Sequence, residues 1–406
     1  MIVVPSTLIG STMKHLRVSA LSPSKAAPAA AFSSSVRSKA GGLGSNAKSV
    51  AIAAARRDAR LQRFAHKAAS ARILRAVDPK LGKRISDCCY VNHGDVSLDR
   101  VTAPDGSVRG AFSGVVTCSN VWSCPVCTAR ISEVRRNEMN TLLSWARLNG
   151  HKTVMVTLTA RHSFSTPLAP FLDALKGAFR SLRQSRAVKS LAQVGSVTAS
   201  EVTHGSNGWH PHLHVLFVLD ASTADPLAAV EALRSGWLRQ LERRGLSGNE
   251  HAFQVQDAQA AGQYIAKFGA AEELTLGHKK KGRGASSRSP WQILADAESG
   301  CKRSAALWRE YALAFKGKRQ LVWSRGLKAL CGLNDLSDDQ CEPEGERVTL
   351  RRWPSGGDRR YWRAARRRVC ALLDAAETCG CLDGAEFGPP DCIRWRRDSD
   401  ASAVIE

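Results

Sequence analysis

The sequence predicts an α+β fold built on an antiparallel sheet with helices on one face. Two observations in the middle of the chain lead to this prediction. Short segments alternate apolar and polar residues with the period of two that half-buried strands show, and longer segments between them have helical periodicity. Two of the strand segments are separated by the short turn HGSNG, which predicts a hairpin. The helices and strands are therefore expected to form a single layered core.

The core elements are expected between residues 151 and 275, in the order β-α-β-β-α-β followed by a further helix. This order is typical of a ferredoxin-like, or RRM-like, antiparallel sheet. Its helices would cover one face, and the other face would be open for a ligand. The strands are predicted at Lys152–Thr159, Val194–Thr203, Trp209–Leu219 and His251–Asp257, and the helices at Pro167–Arg186, Pro226–Arg244 and Ala258–Phe268.

The regions around this core are expected to be smaller and more basic. The N-terminal region is rich in Ala and Ser, and the helical segment after it contains no Pro or Gly up to Val77, so it either lies on a polyanion or caps the next domain. The predicted regions are 1–50, a flexible basic leader; 51–85, a basic helix; 86–150, a small zinc-binding ribbon and a helix; 276–335, a basic loop with a helical extension; and 336–406, a basic variable tail.

The charge of the chain favours an anionic polymer as partner. Among 406 residues, Lys and Arg number 59 against 36 Asp and Glu, which gives a net charge of +23. Each phosphate that such a surface neutralises releases condensed counterions and so favours binding. An acidic membrane surface would also attract this charge, but no apolar run approaches the roughly 18 residues of a membrane span. A nucleic acid is therefore the predicted partner, and no membrane is.

Three of the twelve cysteines are spaced as ligands of a structural metal. They follow the pattern Cys118-x5-Cys124-x2-Cys127, and a chain of this size does not need disulfides for stability. Thiolates at such spacing are typical of zinc sites in a reducing cytosol, although buried free thiols are the alternative. Cys88 is the preferred fourth ligand, Cys89 is the adjacent alternative, and His93 ranks behind both.

The strand GWHPHLHVLFVL carries three histidines on one face. His210, His212 and His214 are two residues apart, so they project to the same side, whereas Leu213 and its alternate neighbours face the core. A buried imidazole needs a hydrogen-bond partner or a metal, and three in register favour a metal. Glu201, across the hairpin, is either a surface residue or a carboxylate ligand. A carboxylate would admit Mg²⁺ or Mn²⁺.

The segment DAQAAGQYIAKF places Tyr264 and Lys267 one turn apart on a helix. A tyrosine on a helix is usually part of amphipathic packing, but the chain has only four tyrosines and this one follows the histidine strand. Cleavage of a phosphodiester by tyrosine needs an in-line phenol and neutralised phosphate charge. A metal beside the histidines and the ammonium of Lys267 would supply that charge.

Three ordered motifs resemble those of the HUH endonucleases, and closely those of the rolling-circle replication initiator (Rep) proteins of bacterial plasmids. They are VMVTLTA, HPHLH and QYIAKF, and flanking text such as CSNVWSCPVCTARIS and SRSPWQILADA is similar as well, so the resemblance covers roughly residues 88 to 333. It implies an HUH core and a Tyr264 attack on origin DNA that is single-stranded at the nick. Tyr264 would stay attached to the 5′ end of the cut strand, and the free 3′-OH would prime synthesis by host polymerase. A host helicase is a further expected partner, and the implied location is the bacterial cytoplasm.

Two further interpretations remain open beside this one. An HUH transposase or relaxase would use the same chemistry on another substrate, and a non-catalytic zinc-bearing DNA-binding repressor would keep the charge and the cysteines. The family often carries a glutamate four residues before the tyrosine, where this chain has Ala260. The terminating cleavage would therefore need another carboxylate, and Asp257, Glu272 and Glu273 are the candidate substitutes.

Overall fold

The computed structural model describes residues 44–104, 106–257, 287–342, 344–355, 362 and 366–378. Contacts divide the chain into two units, Met1–Ser49 and Val50–Glu406. The strands are β1 Asn92–Thr102, β2 Val108–Val115, β3 Lys152–Leu158, β4 Gln193–Gly205, β5 Gly208–Leu219, β6 Phe253–Asp257, β7 Leu321–Trp323 and β8 Glu346–Trp353. The helices are α1 Gly44–Arg75, α2 Pro79–Asp87, α3 Pro125–Leu148, α4 Leu168–Arg183, α5 Arg186–Lys189, α6 Pro226–Glu231, α7 Arg234–Glu242, α8 Pro290–Glu298, α9 Lys302–Phe315, α10 Leu327–Leu330 and α11 Val369–Thr378.

The larger sheet has five antiparallel strands in the order β6-β3-β5-β4-β7. Its first four strands are those predicted for the core, with α4 after β3 and with α6 and α7 before β6. The α+β class with antiparallel sheets is therefore confirmed. The edge strand β7 was not predicted, because a strand of three residues is too short to show a period of two. The predicted helix Ala258–Phe268 lies outside the described residues.

One face of this sheet packs against helices α4, α6 and α7. Leu213, Val215 and Phe217 project from β5 to this side, as predicted, and meet the apolar stripe of α4. The buried Trp237 of α7 completes the layer, and its indole nitrogen donates to the carbonyl of Ala252 at 2.9 Å. This core fixes which side of β5 the intervening histidines must face.

The opposite face is not open along its whole length, so that expectation is wrong for half of the sheet. Helix α3, which was predicted only as a neighbour of the cysteines, covers the far end of the strands. Its Leu142 packs in one core with Leu216 and Val218 of β5. The reason lies in β5 itself, since the residues on this face change from histidine to apolar after His214. The polar half of the face lies next to the half covered by α3.

A second sheet, of three strands in the order β2-β1-β8, corrects the predicted division of the chain. Strand β8 comes from the region predicted as a variable tail, yet it pairs along β1, with Val348 opposite Arg100. Leu350 of β8 and Leu372 of α11 close a core over β1. Residues 86–150 therefore do not form a separate ribbon. The paired residues Arg100 and Val348 are 248 positions apart in the sequence, and such long-range contacts leave no local pattern.

Helix α1 begins earlier than predicted, at Gly44, and one side of it is part of the core. Ala71 and Leu74 are buried with Trp308 of α9, and the Trp308 indole donates to Ser70 Oγ at 3.2 Å. Of the two roles left open by the sequence, packing onto the next domain is the one these contacts support. Among the described residues, no helix combines the length and apolar character required to cross a bilayer.

Candidate metal centres

Glu201, His212 and His214 meet on the polar half of the large sheet. The β4–β5 hairpin places Glu201 directly opposite His212, and His214 lies one pleat further along the same face. Glu201 Oε2 is 3.1 Å from His212 Nε2 and 3.0 Å from His214 Nε2. The three ligand atoms all lie within 4.8 Å of one another. One carboxylate and two imidazoles at this spacing can hold a divalent metal.

The Nδ1 atoms of both imidazoles, which face away from Glu201, have hydrogen-bond partners within the protein. His214 Nδ1 is 3.1 Å from the hydroxyl of Thr157 on β3, and His212 Nδ1 is 3.3 Å from the carbonyl oxygen of His210. Contacts of this kind orient a ligating ring and leave its other nitrogen for the metal. Thr157 was not predicted from the sequence. Its spacing of two residues from Met155 on β3 does indicate that both side chains project from the same face of that strand.

The electrostatics of the group suit a metal ligand set. Burial alone would raise the pKa of Glu201, but hydrogen bonds from His212 and His214 hold that pKa well below its usual range. The pKa of His214 is lowered, chiefly because the ring is buried. Glu201 is therefore an anion and His214 neutral at ordinary pH, which are the forms that coordinate metal ions.

His210 lies on the same strand face but outside this group. Its Nε2 is 3.1 Å from the hydroxyl of Thr159, and its ring stacks on that of His162 at 4.8 Å with a 17° angle between planes. Burial, followed by the neighbouring His212 and His162, lowers the pKa of His210 to about 4. The structure thus brings Glu201, rather than His210, to the two other histidines. His162 was missed at first because it lies in a loop without periodicity.

The predicted catalytic pair, Tyr264 and Lys267, lies outside the described residues, as do Ala260, Glu272 and Glu273. The strand that leads towards them is β6, which pairs with β3, the neighbour of β5. Adjacent strands are about 4.8 Å apart, so β6 runs roughly 10 Å from the histidine strand.

Cys88, Cys118, Cys124 and Cys127 form a second group, and all four are buried. Cys88 follows the last turn of α2, Cys118 lies in the loop after β2, and the other two open α3. Their sulfurs are close, with Cys88 to Cys127 at 3.4 Å and Cys118 to Cys127 at 3.6 Å. Of the alternatives for the fourth position, the structure brings Cys88 into the group. Cys89 and His93 are not among its members.

The four thiols perturb one another strongly. Hydrogen bonds from Cys118 and Cys124 hold the pKa of Cys88 far below its usual value, whereas burial raises the pKa of Cys124. One sulfur can therefore be a thiolate at the expense of its neighbours. A bound cation would remove this conflict, because it stabilises several thiolates at once.

A buried lysine lies beside this cysteine group. Lys67 of α1 is only 1% exposed, and its Nζ donates to the carbonyl of Cys88 at 2.5 Å and lies 3.5 Å from the Tyr90 ring centroid. Among the described residues, no carboxylate pairs with Lys67. A buried ammonium without a counter-charge is costly. An anionic thiolate cluster next to it would supply that counter-charge.

Both groups could hold a metal ion in an α+β fold, and comparisons with known proteins show what this chain is similar to. Residues 111–225, which include Glu201, His212 and His214, match the replication protein family Rep_1. "Protein rep" of Streptomyces lividans is 26% identical over 310 residues, covering 58% of this chain and 68% of that protein. "Neomycin resistance protein" of Streptomyces cyanogenus is 28% identical over 141 residues, covering 27% of this chain and 32% of that protein. No solved structure matches the chain.

The chain is therefore similar to the Rep replication proteins, which agrees with the resemblance of its motifs. This similarity supports a plasmid replication protein.

Proposed function

We propose that this protein initiates plasmid replication by nicking one strand of the origin with Tyr264 beside a divalent metal. The observation that carries the proposal is the convergence of Glu201, His212 and His214 within 4.8 Å, inside the region matched by the Rep family. The proposed fold is an HUH endonuclease core of ferredoxin-like type. It is supported by the strand order β6-β3-β5-β4, in which the strand that precedes Tyr264 lies two strands from the histidines.

The proposed reaction is a transesterification. The Tyr264 oxygen attacks the phosphorus and releases its phenol proton to solvent, the bond from phosphorus to the 3′-oxygen breaks, and the leaving 3′-oxygen takes up a proton from solvent. The products are a 5′-phosphotyrosine and a free 3′-OH, and the reverse reaction joins strands without a nucleotide cofactor. Mn²⁺ or Mg²⁺ at the Glu201 group would act as a Lewis acid on the phosphate. Lys267 would offer a further positive charge to the phosphate or to the phenolate.

The proposed partners follow from this chemistry. The substrate is plasmid origin DNA, single-stranded at the nick, and the net charge of +23 favours its binding. In the bacterial cytoplasm, a host helicase would then unwind the duplex and a host polymerase would extend the strand from the 3′-OH.

Replacement of Tyr264 tests the proposal directly. With labelled single-stranded origin DNA and Mn²⁺, the protein is expected to form an adduct that survives denaturation, and Tyr264→Phe is expected to form none, because phenylalanine lacks the attacking oxygen. Tyr361→Phe, which removes another phenol, serves as the control and should behave as the unmodified chain. Adducts are counted after denaturing electrophoresis.

The outcomes separate the competing functions. An adduct formed by Tyr264→Phe at the original rate would show that another residue is the nucleophile. Binding of duplex DNA with no cleavage of any strand would favour the non-catalytic repressor. Cleavage of transposon ends or transfer origins in preference to a replication origin would favour a transposase or a relaxase.

We also propose that the cysteine group holds a structural Zn²⁺. Four sulfur ligands without an open position are typical of such sites, whereas a catalytic zinc keeps one position free. The support lies in the burial of all four sulfurs and in the ammonium of Lys67, which offsets the negative charge of a tetrathiolate. Cys124 and Cys127, spaced Cys-x2-Cys at the start of α3, provide half of the ligands from one turn of helix.

Lys67→Met is expected to weaken zinc retention by about 10- to 100-fold, the usual effect of removing a group that supports metal ligands. Methionine keeps the buried volume but not the charge, so the cysteine group loses the ammonium that contacts the Cys88 carbonyl. Zinc release to a chromogenic chelator measures the change. The matched control is Lys328→Met, which removes another buried lysine, one that pairs with Glu138 far from the cysteines. Equal zinc retention in Lys67→Met and the unmodified chain would contradict the proposed role.

A further inference from the structure

An exposed aromatic ring lies at the end of the histidine strand, in the loop between β3 and α4. Phe164 is 62% exposed. Among the exposed large hydrophobic residues in the described part of the chain, it is the single aromatic residue. A single exposed apolar side chain is common on protein surfaces, so exposure alone carries no conclusion. Three further features of the loop distinguish this ring.

The loop is held in a defined shape beneath Phe164. The Ser163 amide donates to Thr166 Oγ1 at 3.0 Å, and the Thr166 amide donates to the Ser163 carbonyl at 3.0 Å. The β4–β5 turn also packs closely against the backbone of this loop. A Cβ on Gly208, whose φ is +85°, would lie only 2.9 Å from Phe164 Cα. The ring is thus presented from a supported backbone rather than from a loose loop tip.

A positive charge lies beside the ring, and a second one is exposed in the same loop. The guanidinium of Arg303 on α9 lies 5.5 Å from the centroid of Phe164, and Arg161 is exposed in the same loop. In the described part of the chain, neither arginine is paired with a carboxylate. Arginine beside an exposed ring is the combination with which proteins bind nucleobases and their phosphates together.

The loop is also continuous with the metal face. His162 stacks on His210, which lies on the same side of β5 as His212 and His214. Phe164 follows His162 by two residues, so at most about 7 Å of backbone separates the two. A strand whose phosphate reaches the metal group would therefore pass the ring within a few nucleotides.

We propose that Phe164, with Arg303 beside its ring and Arg161 in the same loop, is a stacking platform for an unpaired base of the single-stranded DNA that enters the metal site. The ligand class rests on the proposed function. The ring accepts the face of any base, and the arginines neutralise the neighbouring phosphates. The platform thus contributes affinity for unpaired DNA and little preference for sequence. Duplex DNA, whose bases are already stacked, gains nothing from it.

Binding of a short fluorescein-labelled oligothymidylate tests this inference. Fluorescence anisotropy is measured with the full chain at fixed salt and without added Mn²⁺ or Mg²⁺, so that no cleavage occurs. Phe164→Ala is expected to bind about 5- to 150-fold more weakly, because one stacked base is lost. Phe164→Trp should retain the affinity, and Leu330→Ala, which shortens an exposed aliphatic residue on α10, should leave it unchanged.

An abasic oligonucleotide of the same length distinguishes stacking from other causes. It offers phosphates but no bases, so the unmodified chain and Phe164→Ala are expected to bind it equally. Arg303→Ala should weaken binding of both oligonucleotides and reduce the slope of affinity against salt by about one. If Phe164→Ala binds oligothymidylate as the unmodified chain does, or loses abasic binding to the same extent, the platform is contradicted.

The result is independent of the nicking test. A normal Tyr264 adduct together with unchanged binding by Phe164→Ala would overturn the platform and leave the proposed function standing. Weaker binding by Phe164→Ala in a chain that forms no adduct would do the opposite.

Discussion

Replacing His212 and His214 together by glutamine is expected to slow metal-dependent DNA cleavage by about a thousandfold. A Lewis-acid metal contributes several kcal/mol to such a reaction, and each 1.36 kcal/mol corresponds to about a tenfold change in rate. Both rings direct Nε2 at the same oxygen of Glu201, so the variant loses two of the three ligands in the group. Glutamine keeps a similar side-chain length, which limits the loss of packing around the buried His214. Initial nicking rates across a Mn²⁺ titration measure the effect.

His210→Gln is the matched control for this prediction. It lies on the same strand and the same face, but its ring contacts Thr159 and His162 instead of the metal group. The change should reduce the nicking rate by less than about tenfold and leave the Mn²⁺ dependence intact. Equal losses in the control and the double variant would show that the three histidines act together, as the strand pattern by itself allows. Loss of duplex binding in the double variant would instead indicate a structural role.

Cys124→Ser is expected to lower the free energy of unfolding more than a serine at a buried cysteine outside the cysteine group does. Metal binding to a structural zinc site contributes on the order of 10 kcal/mol in small domains, and a serine in place of one thiolate loses much of it. The effect should reach the metal face, because Cys124 is the N-cap residue of α3, and Leu142 further along this helix packs on β5. The variant should contain less zinc and unfold at lower temperature, which metal analysis and thermal unfolding monitored by circular dichroism measure together.

Cys331→Ser provides the comparison for this change. Cys331 is also buried, but it stands alone in a different core, where its thiol contacts the carbonyl of Leu327 at 3.0 Å. Its replacement should cost about 1 to 3 kcal/mol and leave the zinc content unchanged. If both variants lost the same stability and kept the same zinc, the cysteine group would be packing of free thiols.

Much of the large sheet follows from local patterns in the sequence. The alternation in β3 and β5 predicted both strands and the apolar side of each, and the turn between β4 and β5 predicted their hairpin. Strands β7 and β8 left weaker signals, since β7 has only three residues and β8 pairs with a strand that lies far away along the chain. Helix α3 was predicted as a helix, but its packing on the sheet was not.

The metal group illustrates the same division at the level of single residues. The sequence by itself determined that His210, His212 and His214 share one face of a strand, because side chains alternate with a period of two wherever a strand forms. Only the tertiary structure decided which of them meet Glu201, because that depends on the register between β4 and β5 and on the contact of His162 with His210. Likewise, the spacing in the sequence indicated Cys118, Cys124 and Cys127 as candidate metal ligands. The choice of Cys88 over Cys89 as the fourth member of the group depends on how the end of α2 packs against the start of α3. Local chemistry sets the candidates, and packing between distant segments selects among them.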